Sequence, residues 1–174
     1  MEPVPLTMQQ DALCRRLAIS YCDLDEAAGF VSSLSRLPER HGGEPPDQLV
    51  QREALLLAFI VSYARPFKRS NNPPGGNTAK YLDEDVLTEL TPGQSRLHAH
   101  LLAMRDQHFA HSDPGPLKLF LRSDAEFGLV AEMREPRPPI SRGAAEEYLG
   151  LVKAVRDAVG ERLLSFGVRM VERD

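Results

Sequence analysis

The first fifth of the chain has apolar residues at helical spacing. Steps of three, four and seven residues separate them, which predicts an amphipathic helix. Thr7 and Gln10 have the spacing of a capping box, so the helix begins there, and Pro38 ends it near Leu37. The residues that carry the period are Leu13, Leu17, Leu24, Ala28, Val31 and Leu34.

A second helix is predicted from the Pro45-Pro46-Asp47 stretch onward. It contains the dense apolar run Ala54 to Val61, and it ends near Ala64 because Pro66 disfavours helix in the residue before it. A helix that is apolar on all sides is normally the buried one of a bundle. We therefore expect this helix to lie in the interior.

The stretch from Arg65 to about Lys80 has the composition of a loop. Its Asn-, Pro- and Gly-rich centre, Asn71 to Asn77, cannot sustain helix or strand, so we expect a flexible loop over about 65–80. A short helix from Asp83 to Leu90 is predicted after it.

A third helix begins at a second capping box, formed by Thr91 and Gln94 with Pro92 at the first helical position. It must end by Ser112, because Asp113-Pro114-Gly115-Pro116 cannot continue a helix.

The remaining chain predicts a β-hairpin over about 117–134 and a last helix. The two strand-like runs are Leu117 to Leu121 and Phe127 to Met133, and Ser141 caps the helix that reaches Leu163. The fold class is therefore all-α: one domain over residues 1–174, a four-helix up-and-down bundle with the hairpin inserted before the last helix.

Composition limits the classes of function. The chain has 174 residues and a formal net charge of −4, which counts against a protein that coats nucleic acid through bulk positive charge. No phosphate-cradling glycine motif, nucleophilic serine elbow or kinase signature is present. Apolar runs are too short for a membrane span and no signal peptide is evident, so we expect a cytoplasmic protein with free thiols at Cys14 and Cys22.

Four of the five histidines, His98, His100, His108 and His111, lie within one short stretch that also contains Arg105. None of them has the four-residue spacing of a helical zinc pair. We therefore predict no metal and no cofactor, and we assign the cluster to acid–base or phosphate chemistry.

The same stretch resembles the HEPN superfamily of four-helix bundles. Arg105, five further residues and His111 match the spacing of its motif, with Asp106 in the polar position after the arginine. The sequence Ala110-His111-Ser112-Asp113 is similar to the motif ending of prokaryotic members, and Tyr63 to Phe67 is similar to a stretch upstream of it. The resemblance implies a metal-independent endoribonuclease that acts as a homodimer, as in toxin–antitoxin and defence systems, with an antitoxin or other regulatory protein as partner.

Each motif residue has a chemical role in that interpretation. Histidine can act as base or acid at neutral pH, so His111 would move the proton. Arg105 would bind the RNA phosphate through its guanidinium, and Asp106 would orient one of the two. On one straight helix Arg105 and His111 would point about 120° apart with about 9 Å of rise. Activity therefore requires an unwound helix end or a second copy, and we predict a dimer.

Further RNA contacts are expected from two places. Arg65, Lys68 and Arg69 form a basic cluster that suits the nucleic-acid backbone. His108 stacks over Arg105 on a helix, and His98 lies seven residues before Arg105 on the same face.

Two alternatives remain open. His111 can simply cap the helix, and Arg105 can pair with Asp85, Glu84 or Asp106. The chain would then be a catalytically inert HEPN-like binding or regulatory module with a protein partner, or a plain bundle that matches the motif by chance.

Overall fold

A computed structural model describes residues 6–38, 46–68, 82, 84–106, 118–124, 128–134 and 142–170, with the two strands described by their backbone. The predicted helical class is confirmed. The helices are α1 (Met8–Arg36), α2 (Pro46–Ala64), α3 (Pro92–Met104) and α4 (Arg142–Ser165).

Capping boxes begin two of these helices, as predicted. The Thr7 hydroxyl accepts from the Gln10 backbone N–H, and the Gln10 side chain accepts from the Thr7 N–H at 2.9 Å. Thr91 and Gln94 make the same reciprocal pair at the start of α3. Each box satisfies two backbone N–H groups that a helix N-terminus leaves unpaired.

The core lies between α1, α2 and α4. α1 packs along both α4 and α2, while α3 makes fewer contacts, with α2 and α4. The largest fully buried side chains come from all four helices. They include Leu17, Leu24, Leu34, Phe59, Ile60, Tyr63, Leu101, Leu151 and Leu163.

The prediction that α2 is buried on all sides is wrong. Phe59, Ile60 and Tyr63 are fully buried, but Val50 is 66% and Leu57 40% exposed. The neighbours of α2 are α1, α3 and a short 3₁₀ helix, and among the described residues they leave this side uncovered.

The prediction that the loop includes residues 65–67 is wrong. Arg65–Phe67 form a 3₁₀ helix that continues directly from α2, and Pro66 is buried. The segment is ordered because the Arg16 side chain binds its carbonyls and the Leu82 N–H donates to the Pro66 oxygen at 2.8 Å. Residues 69–81 lie outside the described part of the chain. The predicted short helix is a 3₁₀ turn at Glu84–Leu87.

The α-helical part of α3 ends at Met104, where the backbone widens into a π turn at Arg105 and Asp106. The predicted continuation to Ser112 and the predicted cap at Ser141 lie outside the described residues. A π turn changes the direction of the side chains that follow it, and such turns are frequent at functional sites.

Two strands are described between α3 and α4. β1 (Lys118–Asp124) pairs antiparallel with β2 (Gly128–Arg134), in a register that runs from Lys118 opposite Arg134 to Asp124 opposite Gly128.

Candidate functional site

The structure describes some of the predicted site residues. Arg105 and Asp106 lie at the end of α3, while His108, His111 and Arg69 fall outside the described residues. The predicted pairing of Arg105 with His111 therefore stays a prediction.

Lys68, Arg105 and Asp106 form a cluster at the end of α3, called here the α3-end cluster. The Lys68 ammonium donates to Asp106 Oδ2 at 2.5 Å, and the Arg105 guanidinium donates to Asp106 Oδ1 at 3.0 Å. The side chains of Lys68, Arg105 and Asp106 are 30%, 36% and 44% exposed. One carboxylate thus joins two cations in a place that solvent reaches, and the cluster has a net charge of +1.

The two cations keep Asp106 ionised. The hydrogen bond from Lys68 lowers the pKa of the Asp106 carboxyl below its ordinary value, with a further contribution from Arg105, against an opposing effect of burial. At neutral pH Asp106 is therefore a hydrogen-bond acceptor and an anion. It can orient a cation, but it is a poor proton donor.

Arg16, on α1, fixes the backbone that carries Lys68. Its guanidinium donates to the carbonyl oxygens of Arg65, Pro66 and Lys68 at 2.9, 2.6 and 3.3 Å. Arg16 is only 4% exposed, and burial lowers its pKa from the ordinary value. Sequence reasoning missed this residue, although its place three residues after Leu13 on the apolar side of α1 was a signal of burial.

Arg65 points to α1 and pairs with two acidic residues. Its guanidinium donates to Glu26 at 2.9 Å and to Asp23 at 3.4 Å, and the Ser62 hydroxyl also donates to Glu26, at 2.8 Å. Burial raises the pKa of the Asp23 carboxyl despite the nearby Arg65. Two carboxylates already neutralise this arginine, so Arg65 and Lys68 do not form one basic surface.

His98 connects α3 to α2. Its Nδ1 is 2.9 Å from the Tyr63 hydroxyl, and its ring packs edge-on against Phe67 with centroids 4.6 Å apart. Burial raises the pKa of Tyr63, so the hydroxyl stays protonated and available for this hydrogen bond. The partners of His98 are thus the buried Tyr63 and the half-buried Phe67, which precedes Lys68 in the chain. The role of His98 as an RNA contact stays a prediction.

His100 does not lie in the α3-end cluster. Together with Arg96 and Gln94 it lines an open cleft of about 720 Å³ against Glu147 and Gly150 of α4.

Among the described residues, no group of three or more His, Cys, Asp or Glu side chains has an arrangement that could hold a metal ion. Both cysteines are free thiols, but Cys22 is exposed and Cys14 buried.

A search of the described helices finds no segment long and apolar enough to cross a membrane. Comparisons with models of protein families, with curated proteins and with solved structures found no match.

Proposed function

We propose that the protein is an HEPN-like, metal-independent endoribonuclease that acts as a homodimer, of the kind found in toxin and defence systems. The observation that carries the proposal is the position of Arg105. It lies at the end of α3, partly exposed, and shares the Asp106 carboxylate with Lys68. This is the motif arginine, in a place where a phosphate can reach it.

The reaction would use the RNA's own 2′-hydroxyl as the nucleophile. A base removes the 2′-proton, the oxygen attacks the neighbouring phosphorus, and an acid protonates the departing 5′-oxygen, which leaves a 2′,3′-cyclic phosphate. His111 is the proton-transfer residue in this proposal. Arg105 would stabilise the negative charge that develops on the phosphate oxygens, with Lys68 beside it.

The exposed side of α2 supports a second copy as partner. Val50 and Leu57 are seven residues apart with Ala54 between them, so they form one apolar stripe on the helix surface. A symmetric dimer places the same stripe of both copies against each other. We expect the two α3 ends to face a shared groove in that dimer.

The main experiment incubates the purified protein with RNA in the presence of a chelator. We expect cleavage with 2′,3′-cyclic phosphate ends, and a loss of at least about 100-fold in Arg105→Ala and in His111→Ala. Arg96→Ala is the matched control, because Arg96 is an exposed arginine of α3 outside the cluster. Absence of cleavage by a well-folded dimer would contradict the proposal.

A second experiment tests the dimer. Leu57→Glu places a charge in the α2 stripe, so we expect a monomer by light scattering and a loss of cleavage. Leu164→Glu, at a leucine of α4 that is exposed to a similar extent, is the control and should remain dimeric. A dimeric, active Leu57→Glu protein would exclude α2 as the interface.

A catalytically inert HEPN-like module with a protein partner, such as an antitoxin, is the second candidate. The α2 stripe favours it as well, because an exposed apolar surface suits a different protein as readily as a second copy. A monomeric chain that leaves RNA intact would support this candidate.

A further inference from the structure

We propose that Asp106 is an internal competitor of the RNA: it occupies the position of a backbone phosphate between Lys68 and Arg105, and RNA binds by displacing it. The inference depends on the proposed function for the identity of the anion, an RNA phosphodiester. Asp106 would then weaken RNA binding, beyond orienting its neighbours.

The contacts of Asp106 are those that a phosphate would make. Each carboxylate oxygen accepts from a different cation, Oδ2 from Lys68 and Oδ1 from Arg105. A phosphodiester also presents two charged oxygens on one atom, and lysine and arginine bind carboxylate and phosphate through the same charge-assisted hydrogen bonds. The cations are therefore already spaced for an anion with two oxygens.

Two features hold the backbone that carries the cations in place when the carboxylate leaves. The Lys68 backbone is fixed by the buried Arg16, which donates to the Lys68 carbonyl oxygen. The Arg105 backbone N–H remains within the helical hydrogen bonding of α3, donating to the Leu101 and Leu102 oxygens. Displacement thus needs only a rotation of the Asp106 side chain, and no helix has to unfold.

Exposure and charge make the displacement feasible. All three side chains of the α3-end cluster are partly exposed, and ion pairs in contact with solvent are weak. The cluster has one positive charge in excess, so an entering anion is attracted. Arg65 differs, because Glu26 and Asp23 give it two negative partners and no excess charge.

The test measures the affinity of the protein for a fluorescent single-stranded RNA with 2′-O-methyl groups. These groups block the 2′-oxygens, so the RNA can bind but cannot be cleaved. Asp106→Asn keeps the shape of the side chain and removes its charge. We expect it to bind about threefold to fivefold more tightly than the unmodified protein. The slope of log affinity against log salt should change little, because displacement lets the same phosphates be neutralised in both proteins.

Two controls separate competition from a general effect of charge. Asp85→Asn removes the same charge at an exposed carboxylate near Arg162 of α4, and it should change affinity less than twofold. Asp106→Glu keeps the competing charge and should resemble the unmodified protein. Adding Lys68→Ala to Asp106→Asn should abolish the gain. Asp106→Ala serves as a second substitution that removes the charge. Thermal melting of every variant verifies that it folds.

The outcomes distinguish the two proposals. If Asp106→Asn binds RNA no more tightly than Asp85→Asn, or more weakly than the unmodified protein, competition is wrong and Asp106 acts only as a positioning residue. Cleavage in chelator by the unmodified protein tests the nuclease separately. A gain in affinity without any cleavage would support the internal competitor and contradict the nuclease, and no RNA binding by any variant would contradict both.

Discussion

Arg16 and Arg105 are linked to the same part of the chain in opposite ways, Arg16 directly and Arg105 through Asp106. Arg16 is buried and binds three neutral carbonyl oxygens between Arg65 and Lys68, whereas Arg105 is partly exposed and shares a carboxylate with Lys68. The first arginine cannot reach an external ligand, and its loss would remove three hydrogen bonds to backbone carbonyls. The second can exchange its partner for another anion. Burial and the kind of partner, more than residue type, separate a structural arginine from a candidate for function.

The largest stability effect is expected at Arg16. Arg16→Ala removes three hydrogen bonds from a buried place, so we expect it to lower the free energy of unfolding by about 3 kcal/mol. Arg15→Ala is the control, because Arg15 is exposed and pairs with Asp11 one turn earlier. Denaturant unfolding of both proteins measures the difference. Equal losses in the two variants would show that the buried contacts of Arg16 contribute little.

A smaller effect is expected where His98 meets α2. Tyr63→Phe removes the hydroxyl that bonds to His98 Nδ1 and should cost about 1 kcal/mol. Tyr148→Phe is the matched control: its ring packs on Phe59, and its hydroxyl has no hydrogen-bond partner among the described residues. If Tyr148→Phe lowers the free energy of unfolding as much as Tyr63→Phe does, the hydrogen bond between Tyr63 and His98 is not the cause.

The smallest effect concerns the pH dependence of the free energy of unfolding, through Asp23, which pairs with Arg65. Burial raises the pKa of Asp23 in the folded protein, so the folded state takes up this proton at a higher pH than the unfolded chain does. The contribution of Asp23 to stability therefore improves as the pH falls through its folded-state pKa.

Asp23→Asn should remove this improvement. The free energy of unfolding, measured between pH 7 and pH 4, would then rise less or fall more than in the unmodified protein. Asp157→Asn removes an exposed carboxylate of α4 and should leave the pH dependence unchanged. An unchanged profile in Asp23→Asn would mean that Arg65 offsets the burial of Asp23 fully.

Local signals in the sequence predicted much of the fold. The capping boxes at Thr7 and Thr91 depend on residues three positions apart, so sequence alone locates the starts of α1 and α3. The exposed stripe of α2 could not be predicted, because the apolar run Ala54 to Val61 does not reveal how many neighbours surround the helix.

The candidate site was predictable only in part. Arg105 and Asp106 were selected from a motif, and their mutual contact is close in sequence. The contacts that define the α3-end cluster join residues far apart along the chain: Lys68 with Asp106, and Arg16 with the 3₁₀ helix Arg65–Phe67. A loop composition after Arg65 gave no indication of a buried arginine beneath it, because only tertiary packing brings α1 to that segment.

The most direct test of this comparison is one preparation of Arg105→Ala measured in two ways, by denaturant unfolding and by RNA cleavage in chelator. We predict a free energy of unfolding within about 0.5 kcal/mol of the unmodified protein, since a partly exposed ion pair contributes little, together with a loss of cleavage of at least about 100-fold. Retained cleavage, or a loss of stability as large as that of Arg16→Ala, would contradict the account.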